Sequence, residues 1–159
     1  MQDDRGVEWT GGCLCGAVRY EVRSAPLWVC HCHCTMCRKQ SGTGIGTFVG
    51  FPAGTVTWSG AKPTRYRSSK DVERSFCATC GSPLAFHRVH ETSLALGSLD
   101  HPERLPVEGR AEIPVWSTHV WYQDRLAWFD TADGWSRHLK FPPGREEELA
   151  ELSGQAIRG

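Results

Sequence analysis

The sequence predicts a mainly β domain with a helix near its C-terminus. Three observations carry that expectation: short segments alternate apolar and polar residues, turn-forming residues interrupt them roughly every eight to twelve positions, and helical periodicity is sustained in one stretch only. The 159 residues suit a single domain, 1–159, with enough apolar sequence to bury a core.

The segment 17–22 alternates most clearly, with Val18, Tyr20 and Val22 on one face and Ala17, Arg19 and Glu21 on the other. Ser24-Ala25-Pro26 makes a turn, after which Leu27-Trp28-Val29 begins a second extended piece. Cys34 to Gln40 reads as one short helical turn stopped at Ser41-Gly42. Further strands are expected at 47–51, 56–58, 64–67, 84–89 and 93–96. A late pair is expected at 118–121 and 126–129, joined by a turn at Gln123-Asp124. The helix is expected over 145–157, where Leu149, Leu152 and Ala156 form one stripe, and residues 1–8 read as a frayed terminus.

Composition narrows the function classes. Eighteen basic and eighteen acidic side chains cancel, with no long run of either sign, so no nucleic-acid partner is expected. No apolar run is long enough to span a bilayer and the first residues lack a signal-peptide core, so the expected address is cytoplasmic. There thiols stay reduced, and regularly spaced cysteines point to metal or catalysis before disulfides.

Seven of the eight cysteines fall into three clusters: Cys13-Leu14-Cys15-Gly16, Cys32-His33-Cys34-Thr35-Met36-Cys37, and Cys77-Ala78-Thr79-Cys80-Gly81. A Cys-x-x-Cys turn ending in Gly converges two sulfurs and lets backbone N–H groups face the thiolates. One such knuckle supplies two ligands and a structural zinc takes four, so Cys13 and Cys15 are the natural second pair for Cys77 and Cys80. The middle cluster offers three sulfurs, Cys32, Cys34 and Cys37. That set leaves a coordination position open for a reactant, unless Cys30, His31 or His33 closes it as a fourth ligand; spacing alone does not decide between the two.

These motifs carry a resemblance. Gly11-Gly12-Cys13-Leu14-Cys15-Gly16-Ala17-Val18-Arg19-Tyr20, the Cys32–Arg38 run, and Arg74-Ser75-Phe76-Cys77-Ala78-Thr79-Cys80-Gly81-Ser82 resemble the glutathione-dependent formaldehyde-activating enzymes. That family also includes the domain of centromere protein V. Gly97-Ser98-Leu99-Asp100, His119 and Trp128 are similar to weaker features of it, and the likeness runs from about Val7 to Asp130.

The resemblance implies a β-tent fold of several small bent sheets around two zinc ions. Cys13, Cys15, Cys77 and Cys80 would hold a structural zinc, and Cys32, Cys34 and Cys37 a catalytic one. The implied activity is that of a carbon–sulfur lyase or synthase, in which glutathione adds to formaldehyde to give S-(hydroxymethyl)glutathione. The chain is shorter than the formaldehyde-activating members, and Cys30 is an additional cysteine.

The expected chemistry is therefore a small thiol, glutathione by resemblance, entering the open zinc position and adding to an aldehyde or similar electrophile. A non-catalytic zinc-stabilised binding module is the alternative, and a redox or zinc-storage protein a third reading. Arg38 and Lys39 stand beside the cluster as candidate carboxylate partners, though solvated surface charge is the plainer reading. His33 is a candidate proton relay, and His119 a candidate site residue from the far half of the chain. Arg74, just before the knuckle, is expected to pack on the structural site, and the seven tryptophans to fill the core more than to line a pocket.

Overall fold

A computed structural model describes residues 9–112, 114–145 and 147. Its strands are β1 (Trp9–Gly12), β2 (Val18–Val22), β3 (Trp28–Cys32), β4 (Gly46–Pro52), β5 (Val56–Gly60), β6 (Thr64–Ser69), β7 (Val72–Phe76), β8 (Pro83–His87), β9 (Glu91–Ala95), β10 (Trp116–Val120) and β11 (Ser136–Arg137). They form a three-stranded sheet, β1-β2-β5, and an eight-stranded sheet in the order β11-β10-β3-β4-β9-β8-β7-β6. Pairing is antiparallel throughout except at β10, which runs parallel to both β3 and β11. The mainly β expectation holds. The helix expected over 145–157 lies almost wholly outside the described residues, as does the stretch 1–8.

The main core lies between the two sheets. Val18, Tyr20 and Val22 of β2 are buried there against Val29, Val49, Phe51, Leu84 and Leu94 of the larger sheet. This inward face of β2 is the one its alternation predicts. Strand β3 divides its side chains by the same two-residue period. Val29 joins the main core, while Trp28, Cys30 and Cys32 join a second cluster with Cys37, Phe48 and Val120. Thus the middle cysteines are carried on the face of the large sheet turned away from the main core.

The single described α-helix, α1 (Thr35–Ser41), is built around its own cysteines. The Cys34 side chain caps its N-terminus by accepting from the Cys37 amide at 3.3 Å. Gly42, with φ 69°, ends it in a left-handed turn and donates its N–H to the Arg38 carbonyl.

Three strands escape the sequence pattern: β1, β7 and the two-residue β11. β1 contains Gly11 and Gly12, and β7 places Arg74 and Ser75 in buried positions where apolar residues would have signalled a strand. One expected strand is absent. Residues 126–129 form a turn, with the Phe129 N–H bonded to the Leu126 carbonyl. Trp121 adopts φ 55° and leads into a 3-10 turn over Tyr122–Asp124, so the chain leaves the sheet. β10 then takes β3 and β11 as its neighbours.

Candidate metal centres and the cavity beside them

The outer cysteines meet although 62 positions separate Cys15 from Cys77. Gly16 and Gly81 take positive φ values of 77° and 74°, the conformation each turn needs to point its pair of sulfurs at a common centre. Gly16 N–H bonds to the Cys13 carbonyl and Gly81 N–H to the Cys77 carbonyl. The Cys13 and Cys15 sulfurs lie 3.6 Å apart, and those of Cys15 and Cys77 3.8 Å. A tetrahedron of thiolates about 2.3 Å from a zinc ion has edges of about 3.8 Å, so this donor set fits such an ion.

Partners around Cys13 and Cys80 favour their thiolates, whereas the neighbouring sulfurs hold the Cys15 thiol up, at about 11. The Val18 N–H points at the Cys13 sulfur at 3.2 Å. The Ser82 hydroxyl, 3.2 Å from the Cys80 sulfur, is the main cause that draws that thiol down to about 5. Ser82 also accepts from the Leu14 amide, tying the two turns together.

Cys32, Cys34 and Cys37 form the second set, their sulfurs all within 4.8 Å of one another. Among the described residues no other Cys, His, Asp or Glu completes this set as a fourth ligand. The hydrogen bonds from Cys32 and then Cys37 pull the Cys34 thiol down to about 2. Cys30 shares the face of β3 but stays outside the set. It is 3% exposed, and burial pushes its thiol up to about 12, as expected of an inert buried cysteine.

His31 and His33 point to the opposite face of β3, as strand alternation requires. His33 Nε2 lies 2.8 Å from His119 Nδ1, and His119 Nε2 lies 3.0 Å from an Asp133 carboxylate oxygen. His31 faces Thr47 at 2.8 Å and stacks on Trp135. His119 is therefore a fully buried member of a hydrogen-bonded chain behind the sheet, and it does not face the three thiols.

In front of those thiols the structure opens a cavity of about 300 Å³. Its walls are largely apolar: Trp28, Met36, Phe48, Phe86, Trp121 and Phe141. Two of the seven tryptophans thus line this cavity, while Trp9 and Trp58 serve the main core. Sequence reasoning missed the aromatic wall because its members come from six separate stretches of chain.

Arg74 also corrects an expectation. It packs on the middle cluster, not on the outer one: β7 directs it across the sheet, where Nη2 approaches the Cys37 sulfur at 3.7 Å. Its Nε donates to the Ser68 hydroxyl at 3.0 Å, and its guanidinium lies over the Phe86 ring at 5.0 Å. Arg38 is committed elsewhere, donating to the Asp124 carbonyl at 3.0 Å and so fastening α1 to the turn after β10. The weaker motif at 97–100 is structural. Asp100 pairs with Arg19 and accepts from Thr10, while Ser98 meets the buried Tyr20 hydroxyl at 2.8 Å. Trp128 is 82% exposed.

With this geometry in view, the family model described as glutathione-dependent formaldehyde-activating enzyme matches residues 8–123. The chain belongs to that family. The matched span contains all three cysteine clusters and most of the cavity wall; His119 falls inside it, whereas Asp133 and Phe141 fall beyond it. A curated relative from Halomonas elongata, named provisionally as a glutathione-dependent formaldehyde-activating enzyme, is 29% identical over 128 residues, 76% of this chain and 78% of its own. A crystal structure of a Rhodobacter sphaeroides protein aligns with 69% of this chain and 99% of that one, at 22% identity and a TM-score of 0.48.

Proposed function

We propose that this protein is a zinc-dependent carbon–sulfur lyase or synthase that adds a small thiol, glutathione or one like it, to an aldehyde. The observation that carries the reading is the three-sulfur set of Cys32, Cys34 and Cys37, placed at a cavity wall with no fourth described side chain completing it. Zinc bound there would lower the pKa of an incoming thiol and present it as thiolate at neutral pH. Cys13, Cys15, Cys77 and Cys80 would hold a second, structural zinc, giving two ions per chain.

The chain's own residues orient and shield. α1 and β3 hold the three sulfurs in one corner, and Arg74 sets a positive charge against Cys37 to offset the surplus negative charge of three thiolates. The apolar wall excludes water, so a thiolate and a bound aldehyde meet as one oriented pair. All eight cysteines are free. Together with a thiol cosubstrate, that supports a reducing, cytoplasmic compartment. No described helix is long and apolar enough to cross a membrane.

The test uses cobalt in place of zinc, with visible absorption recorded as glutathione is added, alongside carbon-13 NMR of labelled formaldehyde. Metal content of two ions, a sulfur-to-cobalt band that changes with glutathione, and faster appearance of the hydroxymethyl adduct are expected. Two inert four-sulfur spectra and no acceleration would instead mark a zinc-stabilised binding module.

A further inference from the structure

We infer that the electrophile is a carbonyl compound with an apolar, ring-sized body, and that Arg74 Nη1 receives its oxygen. This rests on the proposed thiol-addition chemistry and specifies its second substrate.

Size comes first. A water molecule's share of liquid volume is about 30 Å³; formaldehyde is of that order, whereas the cavity measures about 300 Å³. Formaldehyde would leave the aromatic wall facing solvent. A ring or branched chain would displace that water and contact Phe48, Phe86, Trp121 and Phe141. The same lining carries Arg88, Glu91, Asp124 and Arg145, polar partners for the carboxylates, amides and ammonium group of glutathione, which leaves the aromatic rings to the electrophile.

Arg74 fixes the orientation. The residue is 3% exposed, and two of its nitrogens are occupied by Ser68 and Cys37. The third, Nη1, is buried without any hydrogen-bond partner among the described residues, although Arg74 lines the cavity. A buried guanidinium N–H left unmade is costly, and a substrate oxygen would satisfy it. In a thiol–aldehyde adduct the oxygen is attached to the carbon that bonds sulfur, so it lies close to the thiol cluster that Arg74 already touches. The carboxylates of glutathione are many bonds further away.

The step balances without an oxidant or reductant. The thiol gives its proton to solvent, and the thiolate electron pair forms the new sulfur–carbon bond. The carbonyl π pair moves onto oxygen, which accepts the Arg74 N–H as charge develops and then takes a proton from water. The product is a hemithioacetal, and the reverse sequence is the lyase direction.

The experiment uses the metal-loaded protein with glutathione, comparing kcat/KM for formaldehyde and for benzaldehyde. Fluorine NMR of 4-fluorobenzaldehyde, recorded without thiol, reads binding separately. At least ~10-fold preference for the ring-bearing aldehyde is expected. Phe141→Ala, at a residue of the cavity wall, is expected to weaken 4-fluorobenzaldehyde binding ~10-fold and to lower kcat/KM for benzaldehyde more than for formaldehyde; an equal loss for both would refute the wall's part in choosing the aldehyde. Arg74→Gln is expected to lower kcat ~100-fold for both aldehydes, with metal content and fluorine-NMR affinity retained; a merely structural arginine would lose metal or binding instead.

Adduct formation that favours formaldehyde, with no fluorine-NMR binding, would overturn this inference and leave the thiol-addition reading standing. No adduct with any aldehyde would overturn both. Loss of metal in Arg74→Gln, reversed by Arg74→Lys without recovery of kcat, still assigns Arg74 the oxygen; recovery of kcat in step with metal would refute that assignment.

Discussion

Removing the metal from the outer four-thiol centre is expected to destabilise the whole domain, and the size of the effect follows from sequence separation. A link between Cys15 and Cys77 closes a loop of 62 positions. Loop-closure entropy for that length corresponds to ~4 kcal/mol in the chain-entropy treatment used for covalent cross-links. Set against a total stability of about 5–15 kcal/mol, this is a large share. At about 2–4 °C per kcal/mol for a chain of this size, the thermal midpoint should fall by ~8–16 °C.

The same treatment gives the Cys32–Cys37 link only about 2 kcal/mol, because so few residues lie between its ends. The assay is thermal unfolding by far-ultraviolet circular dichroism, with metal content measured on the same samples. Cys15→Ser is the variant of choice, because Cys15 is exposed and its replacement removes a ligand with little packing. Cys15→Ser should drop the midpoint by the full amount, and Cys34→Ser by half of it or less. Equal shifts in the two variants, or a chelated protein melting within about 2 °C of the loaded one, would refute the clamp.

Other outcomes follow from single contacts. A methyl group at Gly11 would run into the Tyr20 hydroxyl and the Ser98 carbonyl, where β1 meets the 3-10 turn at 96–98, so Gly11→Ala should cost ~1–3 kcal/mol in urea unfolding. His87, between Ser75 at 2.6 Å and Thr92 at 3.4 Å, is held down to about 4, first by burial and then by Arg65. Its ordinary value is 6.5, so the unfolded chain binds the proton more readily than the folded one. Its contribution is fully present above pH 6.5, is lost progressively as pH falls to about 4, and is flat below that. His87→Gln should shallow that limb of a stability-versus-pH series; an unchanged slope would show that His87 is not part of it.

How much was legible in the chain depends on distance along it. Val18, Tyr20 and Val22 announce a half-buried strand, because strand alternation is a local rule and their neighbours Arg19 and Glu21 obey it. The helical turn at Thr35–Ser41 is likewise local, set by Cys34 at one end and Gly42 at the other. β7 was hidden for the converse reason: its inward position holds Arg74, whose burial makes sense only once Cys37, Ser68 and Phe86 surround it. Residues 126–129 carry strand-like residues, yet they turn because β10 is flanked by β3 on one side and β11 on the other.

The sequence by itself determined the mainly β class, the grouping of seven cysteines into two sets spaced to hold metal, and the family. Each is written in spacings of two or three residues, which the backbone converts directly into a turn or a face. Only the tertiary structure decided which way the middle cluster looks and what surrounds it. The period of β3 sends Cys30, Cys32 and Trp28 to one side and His31 to the other, and five more stretches of chain then converge to build the aromatic wall. Arg74 gained its place beside Cys37 in the same way: contacts between residues far apart in sequence leave no local trace, since the chain is selected for the pocket they form together and not for any pattern along its length.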